Sequence, residues 1–296
     1  MLIVLGGVGG GIEKVCSIGM PALFVMLLIC IVRACTLEGA VDGLKYMFVP
    51  GWAVANGVIK EAPSFFEVLS TAGGQMFFSL SLGMGAMITY GSYLDKKENL
   101  QKNAILIIVM DTLVALMAGL CVIPGRFALD PSGSLGGPTL LFVTMQNVFN
   151  RMGPVGPIFG ILFYLLVVFA AVSSSISLLE VIVAHFVDKA RIAGKGDKRK
   201  PYTLIAAACV GVGCILVCAD ALGTSGIAPA NLLGMTGDLP GWSADWLDFW
   251  DMLSEGIMMP LGAMLMSLMI GWEIGPDVVK EEAEQQGQKF GSYGFF

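Results

Sequence analysis

The sequence predicts an all-α, polytopic membrane protein with about six transmembrane helices, one of them broken near the middle of the membrane. Composition is the first reason, because 56% of the 296 residues are apolar, 14% are charged and the mean hydropathy is +0.79. Soluble domains usually carry roughly 25% charged residues, so an ordinary water-soluble enzyme is excluded. The second reason is that six windows approach the length of about 20 mostly apolar residues that a membrane crossing requires. The third is that glycines interrupt one of these windows.

Five windows are uniform, each with at most one charged residue. In chain order they are span 1 (15–37), span 3 (104–123), span 4 (158–183), span 5 (203–219) and span 6 (256–272). Span 2 (66–94) is less uniform, because Gly73-Gly74 and Gly83-Met84-Gly85 interrupt it. Glycine is the residue that helices tolerate worst short of proline, so we expect span 2 to be a broken helix.

Basic residues predict the orientation, because they are retained on the cytoplasmic side of a membrane. The connections after spans 2 and 4 hold nine lysines and arginines, whereas the longer connections on the opposite side hold four. Both chain ends are therefore predicted to be cytoplasmic. On the outer side, 138–151 has an amphipathic pattern that predicts a short helix over the outer mouth. The net charge of -6 argues against nucleic acid as a partner.

Two sets of polar groups lie at membrane depth, where ionisable and hydroxyl groups require an explanation. Asp111 is placed about two turns into span 3 and either handles a cation or proton, or makes a structural hydrogen bond. Ser173, Ser174 and Ser175 lie in the middle of span 4. They either bond back to helix carbonyls and permit close packing, or form a site for a hard cation from hydroxyl and carbonyl oxygens.

The glycines around Met84 offer a local mechanism, because an unwound helix leaves backbone groups unpaired inside the membrane. Such groups are tolerated where they line a cavity or bind a ligand, as in the discontinuous helices of transporters. The alternative is a packing notch against a neighbouring helix. Glu180 and His185 are placed near the inner end of span 4, where an interfacial or helix-end role is expected rather than chemistry.

Asp251 and Glu255 precede or begin span 6, where they either favour a helix N-terminus through its dipole or form an external gate. The seven cysteines lie in apolar stretches without a CxxC pair and are expected to be small apolar residues. The glycine run 6–11 lacks the spacing of a nucleotide-binding fingerprint and is predicted to be a loop.

Several of these stretches resemble the neurotransmitter:sodium symporter family in its bacterial branch. They are Gly11-Ile12-Glu13-Lys14 with Met20-Pro21, QMFFSLSLGMGAMITYGSY from Gln75 to Tyr93, LLFVT from Leu140 to Thr144, and FAAVSSSISL from Phe169 to Leu178. The resemblance implies the leucine-transporter fold, which has two inverted five-helix repeats. In that fold 1–37 would be the fifth helix and 38–272 the second repeat, with a polar cytoplasmic tail at 273–296. External loops are expected at 38–65, 125–157 and 220–250, and the chain is expected to be a fragment or truncated member, inactive alone.

The resemblance also implies two sodium sites. The second site would use the Ala170 carbonyl with the Ser173 and Ser174 hydroxyls, and the first would use Ser79 and Asp111. Chloride-dependent relatives carry a serine where this chain has Ala115. A fixed carboxylate at Asp111 would supply the negative charge that chloride supplies elsewhere, so Na⁺ is the expected coupling ion and chloride is not expected.

The substrate pocket implied by the resemblance is mostly apolar, which suggests a hydrophobic amino acid as cargo. Its members in this chain would be Phe78, Ser81, Met84, Ser174 and Leu178, and Asp251 would be the acidic member of the external gate. The expected function is therefore sodium-coupled symport of amino acids across the plasma membrane, in bacteria the inner membrane, by a secondary transporter and not an enzyme. The expected partners are the lipid bilayer and a complementary fragment that supplies the missing first helices. A non-transporting membrane scaffold or partner subunit is the alternative.

Overall fold

The computed structural model describes residues 13–95, 97–196, 198–235 and 241–284. Within these ranges the regular elements are all helices. Five of them are long and apolar enough to cross a membrane, namely Ser17–Cys35, Leu100–Leu129, Gly153–Ile192, Arg199–Asp220 and Trp246–Ile274. They coincide with spans 1, 3, 4, 5 and 6, which confirms an all-α, polytopic membrane protein. The predicted loop at 6–11 and most of the predicted tail lie outside the described residues.

Spans 1 and 2 differ in their continuity. Span 1 is helix α1 (Glu13–Cys35), and the connection to span 2 carries the shorter helices α2 (Ala40–Phe48) and α3 (Trp52–Ala55). Span 2 is divided into α4 (Phe65–Ser79) and α5 (Ala86–Gly91), which confirms the predicted break.

The break in span 2 has one position, not two. Residues 80–85 separate α4 from α5, and Ser81, Gly83 and Gly85 have φ values of 54°, 78° and 80°. Gly73 and Gly74, by contrast, lie inside α4, so the expectation that this pair also interrupts the span was wrong. The difference lies in the backbone, because a positive φ cannot continue a right-handed helix, whereas a glycine with helical φ can.

Spans 3 and 4 form helices that are longer than their apolar windows. Span 3 is α6 (Leu100–Leu129), and it is followed by α7 (Gly137–Thr139), a π-helical segment (Leu140–Thr144) and α8 (Met145–Arg151). These last three confirm the predicted short helix at 138–151. Span 4 is α9 (Gly156–Ile192), whose 37 residues span about 55 Å at ~1.5 Å per residue.

Spans 5 and 6 are joined by a long connection. Span 5 is α10 (Arg199–Asp220), and the connection contains α11 (Pro229–Leu232) and a 3-10 turn (Gly241–Ser243). Span 6 consists of α12 (Trp246–Asp251), a π-helical segment (Met252–Met258), α13 (Met259–Leu268) and a second π-helical segment (Met269–Ile274). Helix α14 (Pro276–Glu284) follows it.

The described residues fall into two compact units. The first unit contains 65–108 and 177–284, and the second contains 13–64 and 109–176. A buried apolar cluster in the second unit joins spans 1, 3 and 4 to α8, and its members are Leu27, Cys30, Met117, Cys121, Met145, Val148, Phe149 and Phe163. Burial of two cysteines in this cluster agrees with their expected role as small apolar residues.

Candidate functional site

Three of the predicted substrate residues lie at the break in span 2, within the first unit. Phe78 is next to Ser79, the last residue of α4, and Ser81 and Met84 lie within the six residues that follow. The Leu82 amide donates to the Phe77 carbonyl over 2.8 Å, so the chain turns tightly as it leaves the helix. Backbone groups between the two helices lack the regular intrahelical partners of a continuous span, which makes them available to a ligand.

A cavity of about 390 Å³ in the second unit contains two of the predicted sodium-site residues. Ala170 and Ser174 line it together with the apolar side chains of Leu27, Phe163 and other neighbours. Ser174 therefore presents a hydroxyl-bearing side chain in a largely apolar surrounding, where an oxygen ligand interacts strongly with a cation.

The hydroxyls of span 4 make the hydrogen bonds that a structural role predicts. Ser173 Oγ donates to the Ala170 carbonyl over 2.9 Å, and Ser175 Oγ donates to the Ala171 carbonyl over 2.7 Å. The first pair also fits a cation, because two oxygens that bind one hard ion at about 2.4 Å lie roughly 3 Å apart. Ala170 and Ser173 thus offer two suitably spaced oxygens.

The two residues of the other predicted sodium site lie in different units. Ser79 is the last residue of α4 in the first unit, and Asp111 lies in α6 in the second unit. Asp111 is partly buried. It is about three turns from the start of α6, rather than two, because that helix begins at Leu100.

A second cavity, of about 460 Å³, lies beside the break in the first unit. Its lining includes Met84 and Thr89 from the broken span and Val181 and His185 from span 4. Leu178, the remaining predicted substrate residue, precedes Val181 by about one helical turn and is 46% exposed. His185 therefore lines a cavity about two turns before the end of α9 at Ile192, and the interfacial or helix-end role expected for it stays a prediction.

An ionic network around Glu180 is the feature that could not be predicted from the sequence. Glu180 is 0% exposed, accepts a hydrogen bond from the Tyr93 hydroxyl over 2.8 Å and forms an ion pair with Arg199. These residues come from the end of span 2, the middle of α9 and the start of span 5. The available signal was a carboxylate in an apolar window, with a tyrosine and an arginine at the ends of other spans.

Asp251 and Glu255 do not begin a helix. Asp245 takes that position, because its Oδ1 accepts from the Asp248 amide over 2.7 Å at the start of α12. Asp251 is the last residue of α12, and Glu255 lies in the π-helical segment Met252–Met258. Glu255 Oε1 is 3.6 Å from the position of a Cβ built on Gly74. The helix-dipole explanation for Asp251 and Glu255 was therefore wrong.

A sequence profile of the sodium:neurotransmitter symporter family matches residues 1–234. The chain belongs to this family. An uncharacterized sodium-dependent transporter of Bacillus subtilis, YhdH, is 32% identical over 100% of this chain and 59% of its own length. An uncharacterized sodium-dependent transporter of Haemophilus influenzae is 30% identical over 96% of this chain and 55% of its own length.

Among solved structures, the symporter-family chain is similar to MhsT, crystallised in complex with L-phenylalanine. The two are 33% identical with a TM-score of 0.75, over 99% of this chain and 62% of MhsT. This similarity supports the leucine-transporter fold for the part of the family architecture that the chain contains. The chain thus spans 55 to 62% of the length of these three proteins.

Proposed function

We propose that this chain supplies part of a symporter that couples the entry of an amino acid to the entry of Na⁺. The observation that carries the proposal is the break at 80–85 in a membrane-depth helix, with positive φ at Ser81, Gly83 and Gly85. A break of this kind exposes backbone ligands at the depth where family members bind their cargo. Na⁺ would then favour one of two conformations by binding it more tightly than the other.

The cargo is proposed to be a hydrophobic amino acid. Phe78, Met84 and Leu178 supply an aromatic, a thioether and a branched aliphatic side chain, and Ser81 and Ser174 complete the set. Apolar walls with a few polar groups are typical of small-molecule sites. The complex of MhsT with L-phenylalanine, at 33% identity, is in keeping with such a cargo.

Two sodium sites are proposed from the same residues that the sequence indicated. Ala170, Ser173 and Ser174 would form part of one site, for which the 2.9 Å separation of Ser173 Oγ from the Ala170 oxygen is suitable. Ser79 and Asp111 would form part of the other. The Asp111 carboxylate would replace chloride as the balancing negative charge, so transport would be independent of chloride.

Different side chains are proposed to close the external and the cytoplasmic ends of the transport pathway. Asp251 is proposed as the acidic member of an external gate, and it is exposed at the end of α12. Glu180, with Tyr93 and Arg199, would hold the cytoplasmic ends of spans 2, 4 and 5 together while that side is closed. Both chain ends are proposed to be cytoplasmic, and the protein is proposed to lie in the plasma membrane, in bacteria the inner membrane.

The partner is proposed to be a polypeptide that carries the first four helices of the family fold. The chain would then comprise the fifth helix at 1–37, the second repeat at 38–272 and a tail at 273–296. Family members draw part of both sodium sites and of the substrate site from the first helix. We therefore expect the chain to be inactive alone and active when these helices are added.

The test is uptake of radiolabelled phenylalanine into proteoliposomes. The chain is reconstituted alone and as a fusion to the first four helices of the Bacillus subtilis relative, with and without a Na⁺ gradient. Uptake is expected only from the fusion and only with Na⁺. Uptake by the chain alone would contradict the need for a partner, and a fusion that binds no Na⁺ would contradict symport.

A matched pair of serine variants separates symport from a scaffold role. Ser174→Ala removes a proposed sodium ligand, whereas Ser175→Ala removes a hydroxyl that bonds to the Ala171 carbonyl. We expect Ser174→Ala to raise the half-saturating Na⁺ concentration of the fusion about tenfold, since loss of one ligand bond costs roughly 1.4 kcal/mol or more. Ser175→Ala is expected to change it less than about twofold. If the chain were a non-transporting scaffold, Ser174→Ala and Ser175→Ala would have the same small effect on the response to Na⁺.

A further inference from the structure

The break in span 2 lies against span 6, backbone to backbone, within the first unit. A Cβ built on Gly83 would overlap the carbonyl oxygen of Met259 and would be 2.8 Å from the Met259 carbonyl carbon. A Cβ built on Gly262 would in turn overlap the carbonyl oxygen of Gly83 and would be 3.3 Å from its carbonyl carbon. Each glycine therefore faces a peptide group of the other segment, with no room for a side chain on either.

Among the described glycines of spans 2 and 6, only these two show such closeness. At Gly73 in span 2 and Gly271 in span 6, no described atom lies within 4 Å of the position of a Cβ, apart from the chain neighbours and the adjacent backbone of the same helix. Gly85, on the other side of Met84, has a φ of 80°, almost the same as the 78° of Gly83. A Cβ at Gly85 would nevertheless meet only the Val181 side chain, at 3.9 Å.

The contact joins an irregular segment to the first turn of a regular helix. Gly83 lies in the non-helical residues 80–85, whereas Met259 and Gly262 lie in α13, directly after the π-helical segment Met252–Met258. Irregular backbone inside a membrane is held in place by the protein that surrounds it. The backbone of span 6 is therefore a rigid surface against which residues 80–85 can be fixed.

We propose that Gly262 is a positioning residue for the broken segment of span 2. Because it has no side chain, the backbone of span 6 can support the Gly83 peptide group and fix the conformation of residues 80–85. The role in cargo binding rests on the proposed function, in which these residues hold the amino acid. Binding sites require their groups to be held within about 0.5 Å, and a methyl group at 262 would displace the Gly83 carbonyl by more than this.

The contact also connects the broken segment to the outer mouth. Asp251, the proposed gate residue, lies eight positions before Met259 in span 6. A movement of span 6 that opens or closes the mouth would thus act directly on the Gly83 peptide. Gly262 would link the state of the outer mouth to the geometry of the cargo site.

The first experiment measures this geometry without requiring transport. Met84→Cys is introduced into the full chain with its seven cysteines replaced by alanine, and the rate of maleimide labelling is measured in lipid nanodiscs. Gly262→Ala is compared with Gly271→Ala, which adds the same methyl group to the same span in open space. We expect Gly262→Ala to change the labelling rate about fivefold or more and Gly271→Ala to change it less than about twofold.

The second comparison separates the contact from backbone strain. Gly83→Ala and Gly85→Ala impose alanine on almost equal positive φ values, but only the former overlaps span 6. A larger change in labelling for Gly83→Ala is expected. Equal changes in the two variants, or a wild-type labelling rate in Gly262→Ala, would overturn the proposal. Failure of Gly262→Ala to fold while Gly271→Ala folds would also overturn it, because the contact would then serve stability alone.

The final readout concerns the cargo. In the fusion that contains the first four helices, Gly262→Ala is expected to raise the KM for phenylalanine about tenfold with a much smaller change in maximal rate per folded molecule. A change in maximal rate alone would overturn the proposed role in cargo binding. If the unmodified fusion transports nothing, the proposed function fails, whereas the labelling experiment still decides the role of Gly262 in positioning.

Discussion

Arg199 should be essential to stability because of the carboxylate that it neutralises. Arg199→Met keeps much of the apolar stem of the side chain and removes the guanidinium. The Glu180 side chain is 0% exposed and the Arg199 side chain is 20% exposed, so the variant leaves a negative charge inside the protein without its counterion. Water cannot replace the arginine at that position without opening the surrounding structure.

The expected cost follows from the burial of Glu180. Removal of one partner from a buried ion pair costs about 3–5 kcal/mol. The Tyr93 hydroxyl, 2.8 Å from Glu180 Oε1, remains as a donor to the charge. A hydrogen bond to a charged group contributes about 1.5–3 kcal/mol, so the loss should lie near the lower end of the range, at about 3 kcal/mol.

The assay is equilibrium unfolding in mixed micelles of SDS and dodecyl maltoside, followed by tryptophan fluorescence. Arg191→Met is the matched control, because Arg191 Nη1 lies 4.0 Å from Asp188 Oδ1 and the two side chains are 59% and 66% exposed. An exposed pair contributes at most about 1 kcal/mol.

A double variant completes the test. Glu180→Met combined with Arg199→Met should recover most of the lost stability, because an apolar pair replaces a buried charge. The reasoning is refuted if Arg199→Met costs no more than Arg191→Met. It is also refuted if the double variant is as unstable as Arg199→Met.

Three further substitutions have defined outcomes. Asp111→Asn in the fusion should make phenylalanine uptake depend on chloride, because the neutral amide no longer supplies a negative charge, and uptake with chloride or gluconate measures this. Asp220→Ala should lower the free energy of unfolding by about 1–3 kcal/mol, because Asp220 is 1% exposed and its Oδ2 accepts from the Trp246 amide over 2.8 Å. Gly43→Ala should cost about 1–3 kcal/mol in the same unfolding assay, because its Cβ would lie 2.7 Å from Pro124 Cα.

Each of these variants has a control. Asp95→Asn changes an exposed carboxylate and should leave uptake independent of chloride. If uptake by Asp111→Asn is also independent of chloride, the Asp111 carboxylate does not take the place of chloride. Asp42→Ala removes an exposed partner of Lys45, 3.3 Å away, at a cost below about 1 kcal/mol. Gly73→Ala adds a methyl group that has no described atom within 4 Å apart from its chain neighbours and the adjacent backbone of its own helix. If Asp220→Ala and Gly43→Ala lower the free energy of unfolding no more than their controls do, the burial of Asp220 and the overlap at Gly43 do not affect stability.

The membrane spans could be predicted from the sequence because apolar length alone identifies them. Their ends could not, because polar residues continue a helix beyond the apolar window. Span 3 begins at Leu100 although Gln101, Lys102 and Asn103 are polar, and the window therefore began four residues late. Helical hydrogen bonds form within the chain regardless of side-chain polarity, so hydropathy cannot mark where they stop.

The site was predictable where its chemistry is local and not where it depends on distant partners. The break around Met84 followed from neighbouring glycines, although only the backbone angles separate it from the intact helix at Gly73. The environment of Glu180 did not follow, because its partners are 87 and 19 residues away in the sequence. A single sequence carries no record of such pairings.

The pairing of Glu180 also constrains how the chain can be assembled during synthesis. Tyr93 is made before Glu180, whereas Arg199 is made 19 residues after it. An acidic side chain that enters the bilayer alone opposes insertion by up to about 3 kcal/mol. Span 4 is therefore best retained beside the insertion machinery until the start of span 5 leaves the ribosome, so that the two helices enter the lipid as a neutral pair.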